Sequence, residues 1–346
     1  MRIEVIHPKE LDRSEVALWR ALQPASPYLT PEWAKIVGRA RDDARVCVIN
    51  HGAAFLGVQR PSRFAAMGLG APIADYQGIV GDVRLEPRAL CAALKVGRID
   101  FTNAPAGQSL FRAVGQEGSW IVDTSGGAAA YRAGLKERRG EFLRQMDKKR
   151  RKFEREKGRY IFTADSRDAA HFEVMLVLKN AQLKRTGQPE IWSTHWVRQV
   201  LEATFEAQSP HFAGGLFTLT MDDRLVAANY MLRAGDVLHD WIMVHDNALD
   251  AYSPGVELAR QAIEWAADQG VREVDFGGGG YQYKRQLSTG QRMLEWGSLS
   301  AGSVSGLVRQ AEYGLRGALE RLPNERLAAL PGKAMRRMDL KRGLAA

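Results

Sequence analysis

The chain has 346 residues, of which 45% are hydrophobic and 26% charged. That length suits about two domains of ~150 residues each, and the composition excludes a disordered or fibrous protein. Its 49 Lys and Arg exceed its 40 Asp and Glu by 9, and its two cysteines, Cys47 and Cys91, are too few for a disulfide framework, so anionic partners and a reducing compartment are expected. The start, MRIEVIHPKEL, lacks the apolar core of a secretion signal. No apolar run reaches the ~18 residues of a membrane span. A cytoplasmic protein follows as the expectation.

The first half reads as mixed α and β. SEVALWRALQ is a short helix, and TPEWAKIVGRA opens a second with Thr30 as cap and Pro31 in its first turn. ARVCVIN and AAFLGVQR are strands around a turn at residues 50–52. EPRALCAALKVG is a helix stopped near Gly97, and RIDFTNAP is the next strand. Residues 124–134, TSGGAAAYRAG, read as a crossover between halves. The following LRQMDKKRRKFEREKGR (143–159) holds nine basic and three acidic residues, with Leu143, Met146 and Phe153 as the apolar edge of a helix.

In the second half, HFEVMLVLKNAQLKRTG and STHWVRQVLEATFEAQ are helices. GGLFTLTMDD, RLVAANYMLRAG and DVLHDWIMVHD form an antiparallel meander. SPGVELARQAIEWAADQG is an amphipathic helix, with Ser253 as N-cap, Pro254 at its first position and Gly270 at its stop. VREVDF is a strand, and Gly277–Gly280 follow it. Residues 92–103 (AALKVGRIDFTN) echo residues 266–278 (AADQGVREVDFGG), as two copies of one fold would.

Several chemistries fail on spacing. The glycine run lacks the pattern of a phosphate P-loop, and no helix is read directly after it, as a dinucleotide fold requires. Neither C-x-x-C nor H-E-x-x-H occurs, so no metal is expected. His239 and His245 read as same-face residues of one strand, roughly 20 Å apart, too far to share an ion. What remains is a meander, a helix whose N-terminal N–H groups suit an anion, a strand, and then glycines, tyrosines and Lys284.

The stretch YSPGVELARQAIEWAADQGVREVDFGGGGYQYKRQ (252–286), with YLTPEW (28–33) and GRYIFTADS (158–166), resembles the CelD/BioF-type acetyltransferases. These are GNAT-fold relatives of the FemAB peptidyl transferases. The shared marks are a Ser-Pro-Gly helix start, an Asp-Phe-Gly strand end and a following Tyr-Lys. The resemblance spans about residues 25–300. It implies an α/β (α+β) fold of tandem GNAT-like domains, each a mostly antiparallel mixed sheet flanked by helices. Residues 1–135 would form the first domain, 136–300 the acyltransferase domain and 301–346 a basic helical tail.

The implied activity is transfer of an acyl group from acyl-CoA, typically acetyl-CoA, to an amine of an amino sugar or glycan precursor in cell-surface exopolysaccharide biosynthesis. Such a reaction needs a proton acceptor, oxyanion stabilisation and a donor for the leaving thiolate. Asp275, Asp240 and His239 are candidates for the first, Lys284 for the oxyanion or a phosphate, and Tyr281 or Tyr283 for the last. Ser253, Pro254, Gly255, Val256, Gly277 and Gly278 are the expected donor-binding positions. Glu257 departs from the family pattern, since a small residue usually stands there and a carboxylate repels phosphate. A FemAB-like aminoacyl-tRNA donor, with tRNA on the basic helix, is the alternative. A degenerate fold binding an anionic nucleotide regulator is a third reading. The basic tail (nine basic, four acidic residues in 301–346) is expected to dock on an acidic membrane at the inner face of the cell membrane, with residues 331–346 exposed.

Overall fold

In ARVCVI and AFLGVQ all but one side chain of each run is buried, so these strands are covered on both faces. The computed structural model describes residues 2–108, 113–320 and 325–345. Two units emerge: residues 1–117 with 293–346, and residues 118–292. These bounds differ from the three segments read from the sequence.

The first unit begins with β1 (Ile3–Ile6), α1 (Arg13–Ala21), α2 (Pro31–Ala40), β2 (Ala44–Ile49), β3 (Ala54–Gln59), β4 (Ala65–Gly68), β5 (Ile79–Val80), α3 (Pro87–Leu94) and β6 (Arg98–Pro105). The chain leaves it within β7 (Ala113–Asp123). The second unit contains α4 (Gly127–Glu156), β8 (Ile161–Ser166), α5 (Ala169–Arg185), α6 (His195–Glu206), β9 (Gln208–Ser209), β10 (Phe212–Met221), β11 (Arg224–Ala234), β12 (Val237–His245), α7 (Pro254–Asp268), β13 (Glu273–Asp275) and α8 (Gln282–Leu287). Within β14 (Gly290–Ser300) the chain returns to the first unit, where α9 (Val304–Leu319) and α10 (Glu325–Leu344) follow.

Each unit is a mostly antiparallel sheet flanked by helices, as expected. The strand orders match: β1-β2-β3-β4-β6-β14 in the first, β8-β10-β11-β12-β13-β7 in the second. In each, one parallel pair joined through a helix interrupts the antiparallel run, β4 with β6 and β12 with β13. In each, the strand beyond that pair comes from the other part of the sequence. The echo between residues 92–103 and 266–278 therefore lies on equivalent helix-to-strand junctions. Separate cores fill the units, one around Leu56, Leu90 and Phe101, the other around Phe217, Ile263 and Phe276.

Four local readings change. The Ala-rich stretch after Gly126 is the start of α4, because alanine is the best helix former. α3 stops at Lys95, which itself adopts the left-handed conformation (φ 55°), two residues before Gly97. A short helix, α8, does follow the glycines, two residues after Gly280. On β12 the register slips opposite Tyr230 and Met231, leaving Trp241 as an extra residue. That bulge breaks the alternation on which the same-face reading of His239 and His245 rested.

In the tail, residues 331–344 are helical and Pro331 lies inside α10, and the segment is exposed only in part. Buried Arg41 donates to the carbonyls of Gly343 (3.0 Å) and Ala345 (2.9 Å) and pairs with Asp43 (2.8 Å). Met335 is buried too. The C-terminal turn carries carbonyls that no helical N–H can satisfy, and the guanidinium supplies the missing donors. Pro323, a residue type that ends helical patterns, lies outside the described residues. We expect Arg41→Met to lower stability by about 3 kcal/mol, since it removes those donors and strands Asp43. An unchanged urea midpoint would refute this.

Candidate active site

The parallel ladder of β12 and β13 pairs three residues and ends at His239 opposite Asp275. β12 runs on to His245 while β13 stops. Parallel strands that part in this way leave a notch at their carboxyl ends, the usual place for a ligand in such sheets.

Asp275 is fully buried at the base of this notch. Its Oδ1 accepts from the Ser119 hydroxyl (2.6 Å) and from the Gly277 N–H (2.8 Å). Its Oδ2 lies 3.5 Å from His239 Nδ1 and 3.6 Å from Arg292 Nη1. Arg292 also holds Glu273 at 2.8 Å. A buried carboxylate survives only when paired and hydrogen-bonded, and this one is both.

The glycines serve this arrangement. Gly277 and Gly279 have φ of 69° and 99°, conformations that cost an L side chain energy. The turn at Gly277 returns its N–H to Asp275. The loop is then tied down from two directions. Lys284 Nζ donates to the carbonyls of Phe276 (2.5 Å) and Gly278 (2.9 Å), and Trp120 Nε1 donates to Gly279 O (2.9 Å).

A cleft of about 620 Å³ opens beside this loop. The start of α7 contributes its N-cap Ser253 and Val256, α4 contributes Arg138, Arg139, Phe142 and Lys149, and α8 contributes its N-cap Tyr281 and, within it, Tyr283. α4 is kinked at Arg139 (φ −139°, ψ 37°), immediately before Gly140. Lys149 Nζ donates to Ser253 Oγ at 2.8 Å. Ser253 occupies the N-cap position but in the left-handed conformation, and its side chain caps no helical N–H. Pro254 does stand at the first helical position, and α7 ends before Gly270 (φ 73°).

Glu257 does not face the cleft as an open charge. It is buried and accepts from two guanidinium nitrogens of Arg260, Nη2 at 2.6 Å and Nε at 3.1 Å. Pro254 and Glu257 line a separate small hollow of about 10 Å³ with Tyr160 and Phe153. Burial, then the charge of Asp240 and the ionisable hydroxyl of Tyr281, push the Tyr283 hydroxyl well above the usual tyrosine pKa. It therefore stays protonated and can donate.

Of the residues expected from the sequence, Ser253, Val256, Tyr281 and Tyr283 line the cleft together. Asp275, His239, Gly277, Gly278 and Lys284 form the adjoining network. Asp240 acts on Tyr283 by its charge. Pro254 and Gly255 lie in the start of α7, and Gly255 packs against His245 and Met243. Lys149, Ser119 and Arg292 were missed as site residues. Lys149 carried a signal, since it follows Met146 by three and precedes Phe153 by four, on the apolar edge of its helix. Ser119 and Arg292 lie on strands to which no element was assigned.

The equivalent carboxylate of the first unit has another fate. Asp100 ends the parallel ladder of β4 and β6 opposite Met67. Arg98 Nε contacts both its oxygens at 3.0 Å, and Arg309 Nε lies 3.3 Å from Oδ1. Burial pushes its pKa up, against the pull of Arg309 and Arg98.

Residues 140–285 match the family described as Acetyltransferase (GNAT) domain. Among curated proteins nothing matches the chain. Among solved structures, FemX is similar with a TM-score of 0.56 at 10% identity, over 91% of this chain and 99% of that one. The C-terminal domain (DUF2156) of a protein described as a lysylphosphatidylglycerol synthetase, from Agrobacterium fabrum, gives 0.53 at 11% identity, over 85% and 94%. A conserved protein of unknown function from Bacteroides thetaiotaomicron gives 0.53 at 13%, over 86% and 100%. These structures share the fold. No helix among the described residues is long and apolar enough to cross a membrane.

Gly277→Ala is expected to cost about 1–2 kcal/mol by forcing a side chain into the left-handed region. Denaturant unfolding would check it, and an unchanged midpoint would show that the turn tolerates a Cβ. The GNAT-type match over residues 140–285 supports an acyltransferase.

Proposed function

We propose that the second unit transfers an acyl group from acyl-CoA to an amine of an amino sugar or glycan precursor, in the manner of the CelD/BioF-type acetyltransferases. The observation that carries the reading is the cleft, with cationic groups on one wall and a proton-bearing tyrosine on another. Arg138, Arg139 and Lys149 offer positive charge beside the start of α7, where the helix dipole adds to it. Glu141, on the same wall, is neutralised by Arg144 at 2.6 Å. Glu257, turned to Arg260, does not oppose a phosphate there.

In the reaction the amine nitrogen attacks the thioester carbonyl carbon. A C–N bond forms, and the C–S bond then breaks. The amine gives up its proton to water in the cleft, and the Tyr283 hydroxyl protonates the leaving thiolate. A proton from water then restores Tyr283, whose hydroxyl burial and the neighbouring charge of Asp240 keep protonated. Asp275 and His239, fully buried, position the strand ends rather than touch the substrate. Lys284, engaged with two loop carbonyls, holds the shape of the glycine loop.

A second reading rests on the outer face of α4. Lys148, Arg151, Lys152 and Arg155 are exposed there, a row suited to an RNA backbone. It would make aminoacyl-tRNA the donor, as in the FemAB alternative.

Thermal shift and single-turnover assays with acetyl-CoA, longer acyl-CoAs and charged tRNA, each with amino-sugar acceptors, separate the two. Tyr283→Phe is expected to lower kcat about 100-fold with an acyl-CoA donor, with little change in melting temperature. Lys149→Met is expected to raise the donor KM about tenfold, the loss of one charge-assisted contact. Transfer from charged tRNA alone would overturn the acyl-CoA reading. Full activity of Tyr283→Phe would remove the proposed proton donor.

A further inference from the structure

α9 is turned inside out relative to an ordinary surface helix. Val304, Leu307, Val308 and Leu315 are 77%, 59%, 51% and 61% exposed. Ala311 and Ala318 extend the same stripe and are exposed too. The opposite face carries its charges inward. Arg309 is buried and pairs with Asp100, Glu312 and Asp339, and Arg316 stacks over the Trp296 ring at 4.4 Å. Polar anchoring inside thus fixes which face points out, and that face is apolar.

α10 lies antiparallel to α9. Arg309 reaches Asp339 at 2.5 Å, and Gly332 packs beside Arg316. α10 exposes Lys333, Arg336, Arg337 and Lys341, with Met338 between them. Asp339, the acidic group of residues 330–345, is engaged by Arg309 and Arg342. An apolar stripe thus stands beside a row of exposed positive charge.

We propose that α9 and α10 dock this protein onto the surface of an anionic lipid bilayer. The stripe enters the acyl-chain boundary while the basic row meets the head groups. Charge selects this occupant. A second copy bound face to face would bring two equally basic helices together, which a negatively charged surface does not. Neither helix is apolar enough to span the bilayer, so the contact is interfacial. The proposal does not depend on the acyl donor.

The test is flotation of the full chain with vesicles of phosphatidylcholine alone and of phosphatidylcholine with phosphatidylglycerol, at low and high salt. Two double variants accompany it, Leu307→Gln with Leu315→Gln, and Arg337→Gln with Lys341→Gln. All four side chains are exposed, and melting curves check that folding is retained. Binding is expected to require phosphatidylglycerol and to weaken with salt. The charge variant should lose about fivefold in affinity for each charge removed, and the apolar variant should lose binding at both salt concentrations. No flotation of the parent chain, or equal flotation of both variants, overturns the proposal. So does a dimer in sedimentation equilibrium that only the apolar variant disperses, which would assign the stripe to a second copy.

Discussion

The second unit depends on one buried carboxylate. Asp275 has no access to water, so its charge must be met by protein groups. Four groups meet it, from four places in the chain: Ser119 on β7, His239 on β12, Gly277 in the loop and Arg292 on β14. Removing any one leaves part of a charge uncompensated in a medium of low dielectric, which is far costlier than losing a surface ion pair. The carboxylate thereby sets where β13 stops, how the glycine loop turns and where the notch opens. Tyr281 and Tyr283 reach the cleft because Lys284 and Trp120 hold that loop from either side.

What the sequence made legible was local. The meander of β10, β11 and β12 announced itself through apolar alternation and polar turns, and α7 through its apolar face between Pro254 and Gly270. The echo of residues 92–103 in residues 266–278 marked two equivalent junctions. What stayed hidden depends on distant partners. β7 and β14 each complete a sheet whose other strands lie elsewhere in the chain, and their mixed polar sequences show no clear period. Arg41 looks like a surface residue until the carbonyls of Gly343 and Ala345 arrive beside it. The bulge at Trp241 adds one residue to a pattern that otherwise alternates, so it shifts side chains between faces without altering composition. Lys149 was visible as a member of a basic run, but its place at the start of α7 required the fold.

The two units show how one topology supports different uses of the same position. Asp100 and Asp275 both end a parallel ladder after a helix, and both are buried. Beside Asp275 the neighbouring positive group, Arg292, is shared with Glu273 and lies 3.6 Å away. Beside Asp100, Arg98 makes two contacts and Arg309 a third. Arg309 comes from α9, so a C-terminal helix supplies the second cation at Asp100. A carboxylate gripped by two guanidinium groups is a structural ion pair, poorly suited to exchanging protons.

The same cluster fixes the orientation of α9. A helix that points Arg309, Tyr313 and Arg316 inward turns Val304, Leu307, Val308 and Leu315 outward. The ion-pair cluster at Asp100 is desolvated, and satisfying it requires those charges to point inward. The apolar stripe outside is the residue of that constraint. An exposed contiguous stripe of this kind is costly in water and favours any surface that can cover it. The stability of the first unit and the surface chemistry of its last helices are therefore consequences of one buried charge, just as the notch of the second unit follows from another.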